Sequence, residues 1–191
     1  MYTKKYYNIA KSKLFHLCRS ITGNGVRKSL KIIKKEFPKL KIVETNSKSK
    51  AFDWTVPLEW NIKDAYILDK NDKKIVNFKK NNLHVISYSV PVKKILSLKD
   101  LTKRLFSLPK QPSAIPYITS YYKKNWGFCI SDIQKKKLLK TYSQKDKFKI
   151  VINSKFKKGK LTYGEVVIKG KSPKEILIST YICHPSMANN E

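Results

Sequence analysis

The sequence predicts an α/β fold that is interrupted by a smaller, mainly-β unit. Apolar residues recur at helical spacing in the first 52 residues, and three apolar, strand-like runs occupy residues 146–191. Residues 53–145 differ from both because they are rich in hairpin signals and prolines. The predicted domains are therefore 1–52 and 146–191, which together form one α/β domain, and an inserted mainly-β domain at 53–145.

The first part is predicted to be helical and then extended. A loop with two glycines at 20–25 offers Thr22 and Asn24 as candidate N-caps. Pro38 ends the helix that follows, whose apolar face is formed by Val26, Leu30, Ile33 and Phe37. A short strand is predicted at 40–43.

The second part is predicted to begin with a hairpin. Apolar runs at 66–68 and 75–76 flank the turn sequence 69–72, and a further strand is predicted at 83–88. Ser97 and Asp100 form a capping box that opens a helix. Prolines then exclude regular structure before an aromatic-rich segment at 117–129 and a weak helix at 133–142.

The third part is predicted to contain three strands, at 149–153, 161–168 and 175–182. The last of these strands would deliver His184 at its carboxyl end, which is where ligands and catalytic groups collect in α/β proteins. Glu191 follows within a few residues, and an imidazole with a nearby carboxylate is common zinc-ligand chemistry. The alternative is that His184 is a structural histidine; His16 and His84 are both assigned to structure.

The net charge of +29 would ordinarily indicate a nucleic-acid or anionic-membrane partner. The composition argues against this interpretation, because only Arg19, Arg27 and Arg104 are arginines and the other basic residues are lysines spread along the whole chain. Proteins that bind nucleic acids specifically favour the bidentate guanidinium. We expect a diffuse surface property and no specific nucleic-acid partner.

Three cysteines without a CxxC pair indicate a reducing, cytoplasmic location rather than a disulfide framework. No run approaches the roughly 18 apolar residues of a membrane span, so no membrane partner is expected. Cys183 and His184 could suggest a nucleophilic pair, but neighbours in a strand point to opposite faces. Cys183 is therefore predicted to be a core residue.

Two further patterns have structural explanations that we favour. The aromatics around 54–60 and 117–126 could stack on single-stranded nucleic acid, but aromatics beside prolines commonly pack loop bases. The sequence Gly23-Asn24-Gly25 ahead of a helix is similar to a phosphate-binding loop, but no strand precedes it and no third glycine follows.

Several motifs in order along nearly the whole chain resemble one family: 18–27 (CRSITGNGVR), 52–62 (FDWTVPLEWNI), 88–92 (YSVPV), 108–112 (LPKQP), 115–122 (IPYITSYY), 126–129 (WGFC), 161–165 (LTYGE) and 179–191 (STYICHPSMANNE). This is the bacterial aminopeptidase-like zinc peptidase family (domain of unknown function 4910 with an inserted domain of unknown function 2172). Its members run to a little over twice this length, so the chain resembles the N-terminal part of one.

The resemblance implies a partial zinc-exopeptidase-like (phosphorylase/hydrolase-like) sheet with helices. It also implies that His184 is the first metal ligand and that Glu191 or Asn190 occupies the position of the next, acidic ligand. Asn190 stands where related enzymes have a bridging aspartate, which favours a single zinc ion over two. The remaining ligands and the general base would follow Glu191, so the chain as given is expected to be inactive.

The function implied is hydrolysis of a peptide or amide substrate by metal-activated water. The alternative is a non-catalytic module that binds peptide or carbohydrate with a degenerate metal site, using the aromatic residues 117–126. The sequence does not indicate an oligomeric state.

Overall fold

The structure is a computed structural model and describes residues 2–187. Contacts within the chain divide it into two compact units. The discontinuous unit consists of the residues up to Glu59 and those from Lys157 onward, and the continuous unit consists of Trp60–Phe156. The sequence analysis placed these boundaries at 52/53 and 145/146, and separate folding of the inserted segment stays a prediction.

The discontinuous unit begins with two helices. Helix α1 (Tyr2–Ile9) continues into a π-helical turn (Ala10–Leu14), and helix α2 spans Asn24–Glu36. The predicted second helix is confirmed, and it ends with Phe37 as the C-cap directly before the proline. The predicted N-cap side chains are not used, because Gly23 occupies the cap position without a side-chain hydrogen bond.

Three strands follow α2. They are β1 (Lys41–Asn46), which confirms the strand predicted at 40–43, and the short hairpin pair β2 (Lys50–Ala51) and β3 (Trp54–Thr55).

The continuous unit is built around a four-stranded sheet with the order β5-β4-β9-β6. Its strands are β4 (Glu59–Leu68), β5 (Lys74–Asn77), β6 (Val92–Ser97) and β9 (Lys147–Lys157). A parallel pair, β7 (Leu105–Phe106) and β8 (Phe128–Cys129), and two helices, α3 (Leu98–Thr102) and α4 (Asp132–Thr141), complete it.

Local sequence signals explain most of this unit. The predicted hairpin is present, with Ile67 opposite Val76 in the antiparallel pair β4–β5. Ser97 caps α3 by accepting from the Asp100 backbone N–H at 3.2 Å, as the capping box predicts. The segment 83–88 is not a strand: a 3-10 turn (Asn82–His84) is followed by isolated bridges.

Alternation along β9 explains its place in this sheet. Phe148, Ile150 and Ile152 are buried, whereas Lys147 before them and Lys149 between the first two are exposed. A period of two is the pattern of a strand with one face on a core. The strand predicted at 149–153 was expected to belong to the α/β domain together with the strand at 161–168. In the structure it lies in β9, which pairs with β6.

The last strand, β10 (Lys160–Glu165), pairs antiparallel with β1 and returns the chain to the discontinuous unit. It is three residues shorter than predicted at its end, and residues 175–182, predicted as a strand, are in neither a helix nor a strand. Glu165 pairs with Lys41, the first residue of β1, so the ladder ends there. Beyond that position, residues 2–187 provide no strand with which 166–168 or 175–182 pairs.

The core of the discontinuous unit lies between α2 and the β1–β10 pair. Val26, Leu30 and Leu40 are its buried members. Ile33, Ile42 and Ile182 pack against them. The segment before His184 therefore packs on this core through Ile182, although it forms no strand.

Candidate metal centre at His184

An apolar groove of about 570 Å³ lies in the discontinuous unit beside its core. Its walls are formed by the apolar face of α2, by residues 161–164 of β10 and by residues 180–183. We call this feature the α2 groove. Because residues 180–183 line it, the segment that leads to His184 is held against the groove.

His184 is bracketed by two anchored residues. Ile182 packs on the core of the unit, and Pro185 is buried in the 3-10 turn Pro185–Met187. The imidazole itself is half-buried and meets the Tyr181 ring edge-on, with the ring centroids 5.7 Å apart. Pro185 also restricts the backbone of His184 to extended conformations. The position of the ring is therefore set by its neighbours without strand pairing.

Arg19 is the buried cation of the α2 groove. Its side chain is 1% exposed, and its Nη1 donates to the Leu14 carbonyl at 2.6 Å. Beside it, burial raises the pKa of the Cys18 thiol to about 12, although the Arg19 charge acts in the opposite direction. Cys18 is thus a protonated thiol at neutral pH and a poor nucleophile.

The first turn of α2 packs directly on this pair. A Cβ atom at Gly25 would lie 1.9 Å from the Cys18 carbonyl oxygen. Only glycine allows this approach, so Gly25 serves the packing of the first turn of α2. This close packing supplies a structural reason for a glycine that the sequence analysis compared with a phosphate-binding loop.

The other histidines lie elsewhere, in line with their assignment to structure. His16 is exposed and meets Phe15 edge-on. His84 is half-buried in the continuous unit, where its Nδ1 is 2.8 Å from the Cys129 carbonyl oxygen. Burial lowers the pKa of His84, and the hydrogen bond to the carbonyl only partly offsets this effect. The neutral form, donating from Nδ1, fits both observations.

The aromatic residues of the continuous unit are largely used in packing. Trp60 stacks on Tyr88 at 5.5 Å, and Tyr121 meets the same Tyr88 ring edge-on at 5.0 Å. Trp126 lies under the Arg104 guanidinium at 5.1 Å. Tyr122 is the exception, with 63% of its surface exposed. These contacts favour the structural interpretation of the aromatic-rich segment.

The described residues supply one of the two predicted metal ligands. Within residues 2–187, no three histidine, cysteine or acidic side chains come together in a way that could hold a metal ion. Glu191 and Asn190 lie outside the described residues, so the structure does not place them relative to His184. A zinc site at His184 therefore requires ligands from beyond residue 187.

Within residues 2–187, no helix combines the length and the hydropathy of a membrane span.

Comparison with known proteins defines the class of the chain. The chain belongs to the family described as "Domain of unknown function (DUF2172)", whose model matches residues 59–155, just over half of the sequence. The matched segment coincides closely with the continuous unit, Trp60–Phe156.

A curated protein and a solved structure, both from Clostridium acetobutylicum, are similar to this chain. One, named "Putative polysaccharide biosynthesis protein with aminopeptidase-like domain", is 50% identical over 184 residues, covering 96% of this chain and 41% of its own length. The other is a crystal structure of a "putative peptidase" with 50% identity and a TM-score of 0.89, covering 97% of this chain and 42% of its own. The chain thus spans about two fifths of the length of the relatives it matches. Its fold is mixed α/β with small sheets, and its relatives are described as aminopeptidase-like or peptidase proteins.

The α2 groove and the burial of Arg19 and Glu59 could not be predicted from the sequence. The rarity of arginine was the one available indication that Arg19 has a special role, because arginine occurs at only three positions in a chain rich in lysine. In the structure all three guanidinium groups make contacts within the protein. Glu59 had no comparable signal, because a glutamate in an apolar run does not reveal its partner in sequence.

Proposed function

We propose that this chain forms part of a zinc-dependent, aminopeptidase-like hydrolase that acts on peptide or amide substrates. The observation that carries the proposal is the placement of His184, which follows the groove-lining segment and is held between Ile182 and Pro185. Similarity to proteins described as aminopeptidase-like and as a peptidase supports it. The activity belongs to a protein of the relatives' length.

In this proposal His184 is the first metal ligand and Glu191 the acidic one. A neutral imidazole and a carboxylate are suitable ligands for zinc. Asn190 replaces a carboxylate by an amide, which is a weak ligand, and we therefore propose one zinc ion rather than two. Bound zinc would lower the pKa of a coordinated water and polarise the scissile carbonyl.

The residues of this chain would mainly position that site. Ile182 and Pro185 would hold the segment that carries the imidazole in place, and the Tyr181 ring would support one side of the imidazole by its edge-on contact. The general base and the remaining ligands are proposed to lie beyond Glu191. The 191-residue chain alone is accordingly proposed to be inactive and to bind zinc weakly.

A cytoplasmic location is part of the proposal. None of Cys18, Cys129 and Cys183 is in a disulfide, as expected in a reducing compartment. No specific nucleic-acid partner and no membrane partner are proposed. The alternative, a non-catalytic carbohydrate- or peptide-binding module, has less support because Tyr121 and Trp126 are engaged in packing within the protein.

The test is the replacement His184→Ala in a protein of the relatives' length that carries this sequence. Zinc content by metal analysis and hydrolysis of aminoacyl-anilide substrates should fall together. His16→Ala, an exposed histidine of the same unit, is the matched control and should change neither. Retention of both zinc and hydrolysis by His184→Ala would show that His184 is structural.

A further inference from the structure

Two short apolar runs of the discontinuous unit are exposed. In the first, Val166, Val167 and Ile168 are 45%, 67% and 89% exposed. In the second, Ile176, Leu177 and Ile178 are 92%, 92% and 87% exposed. Protein surfaces rarely carry contiguous apolar patches of this kind unless they are interaction sites. We propose that in a protein of the relatives' length both runs become strands of a sheet, which a further polypeptide segment completes by covering both of its faces.

The proposal of strands rests on residue type. Five of the six residues are β-branched, and such residues favour strands. The first run continues β10 directly, and the second leads into the groove-lining residues 180–183. The charged residues of this region lie in the connection between the runs, at 169–175. This connection of seven residues is too short for a parallel crossover, so neighbouring strands here would be antiparallel.

The involvement of both faces follows from the pattern of exposure. Successive side chains of a strand point to opposite faces, so three consecutive exposed aliphatic residues place apolar surface on both. A strand with one solvated face would alternate apolar and polar residues, as β9 does with Phe148, Lys149 and Ile150. Continuous apolar runs are typical of strands with elements packed above and below the sheet. A pairing edge alone is therefore not enough, and the occupant must also cover both faces of the sheet.

This requirement decides between two kinds of occupant. A second copy of this chain could pair edge to edge and satisfy the backbone, but its matching runs would leave the faces of the sheet exposed. A longer segment that contributes strands and helices can cover the edge and both faces together. The relatives contain about three fifths of their length outside the matched region. We infer that this part of a protein of the relatives' length is the occupant, and this inference does not depend on zinc or on hydrolysis.

The experiment compares one substitution in two settings. The first is the 191-residue chain; the second is a chimera in which this chain replaces the matched segment of the Clostridium acetobutylicum peptidase relative. Leu177→Asp should leave the unfolding temperature of the first protein unchanged, because the side chain is 92% exposed there. In the chimera it should lower the unfolding temperature by roughly 5 °C or more, because a charge would be buried without a partner.

Ile95→Asp is the matched control, an exposed aliphatic residue on β6 of the continuous unit, and its effect should be the same in both settings. Equal effects of Leu177→Asp in the two proteins would overturn the proposal. So would a dimer of the 191-residue chain, seen by light scattering, that dissociates with Leu177→Asp. Hydrogen exchange on the unmodified relative gives a second measurement: slow exchange at the aligned positions supports the proposal, and fast exchange contradicts it.

Discussion

Arg27 and Glu59 form a two-point ion pair inside the discontinuous unit. The Arg27 Nη1 lies 3.1 Å from Glu59 Oε1, and its Nη2 donates to Glu59 Oε2. Glu59 is 1% exposed and also accepts from the Lys160 backbone N–H at 3.2 Å. These contacts connect α2, Glu59 and the start of β10, all within the discontinuous unit. The hydrogen bonds that the guanidinium donates to Glu59 and Glu44 hold the pKa of Arg27 above its usual value.

Removal of the arginine should leave a buried carboxylate without its main partner. We expect Arg27→Met to lower the free energy of unfolding by about 3 kcal/mol, the lower end of the range for broken buried pairs. The loss should be at the lower end because Lys157 Nζ, 3.3 Å from Glu59 Oε1, still partly balances the charge of the carboxylate. Urea denaturation measures the effect, with Lys28→Met, an exposed neighbour on α2, as the control.

A double variant separates the ion pair from other effects. Glu59→Met combined with Arg27→Met should lower the free energy of unfolding by less than the sum of the two single changes, because the double variant leaves no unpaired charge. Strict additivity would contradict the role given to this pair.

Gly159 is needed for the approach of Glu59 to β10. A Cβ atom at this position would lie 2.3 Å from Glu59 Oε2. We expect Gly159→Ala to displace the carboxylate and to lower the free energy of unfolding by about 2 kcal/mol, a typical cost of overpacking. Gly170→Ala is a suitable control, because the nearest atom to its Cβ, the Ser172 nitrogen, is 4.0 Å away. Equal stability of the two variants in thermal unfolding would show that this contact is not tight.

The Tyr142–Asp69 hydrogen bond should make the stability of the protein depend on pH at both the acidic and the alkaline end of the range. Tyr142 Oη donates to Asp69 Oδ2 at 2.7 Å. Burial raises the pKa of Asp69, but the hydrogen bonds from Tyr142 and from the Lys73 and Asn71 backbone outweigh it, so the pKa lies below the usual value. The same hydrogen bond raises the pKa of Tyr142 to about 12.

The signs follow from the direction of each shift. The lowered pKa of Asp69 gives stability that is present above its unfolded value of about 3.9 and is lost as the pH falls through the folded value. The raised pKa of Tyr142 gives stability that is present below about 10 and is lost as the pH rises toward 12. Tyr142→Phe should lower the free energy of unfolding by about 1 kcal/mol at neutral pH and remove the alkaline loss.

Thermal unfolding followed from pH 3 to pH 11 measures this pH dependence. Tyr66→Phe is the control, because it removes a hydroxyl from the same unit and keeps the ring that faces Lys74. An unchanged alkaline profile in Tyr142→Phe would contradict the assignment.

The lysine excess should produce only weak and general binding to polyanions. The three arginines are held by contacts within the protein, for example Arg104 by Asn125 and Trp126, and we therefore expect no recognition surface from them. We expect retention on heparin and on DNA of any sequence at low salt, with a steep loss as salt increases. Sequence-specific DNA binding that persists at about 0.15 M salt would show this expectation to be wrong.

The elements that the sequence determined by itself are those stabilised by neighbouring residues. Helix α2, the β4–β5 hairpin and the Ser97 cap could be predicted because periodicity, turn residues and capping side chains act within a few positions. The role of His184 as a metal ligand stays a prediction, and the strand predicted to lead to it, at 175–182, is absent from the structure. Strand lengths and partners could not, because a strand exists only where another segment offers its hydrogen-bonding edge.

The tertiary structure decided the rest. It assigned β9 to the continuous unit by pairing with β6 and ended β10 at Glu165, opposite Lys41, the first residue of its partner β1. It also brought Arg27 to Glu59, across 32 positions of sequence. Apolar alternation shows that a segment can be a strand, but pairing partners, buried ion pairs and the α2 groove arise from contacts between distant segments, which no local pattern encodes.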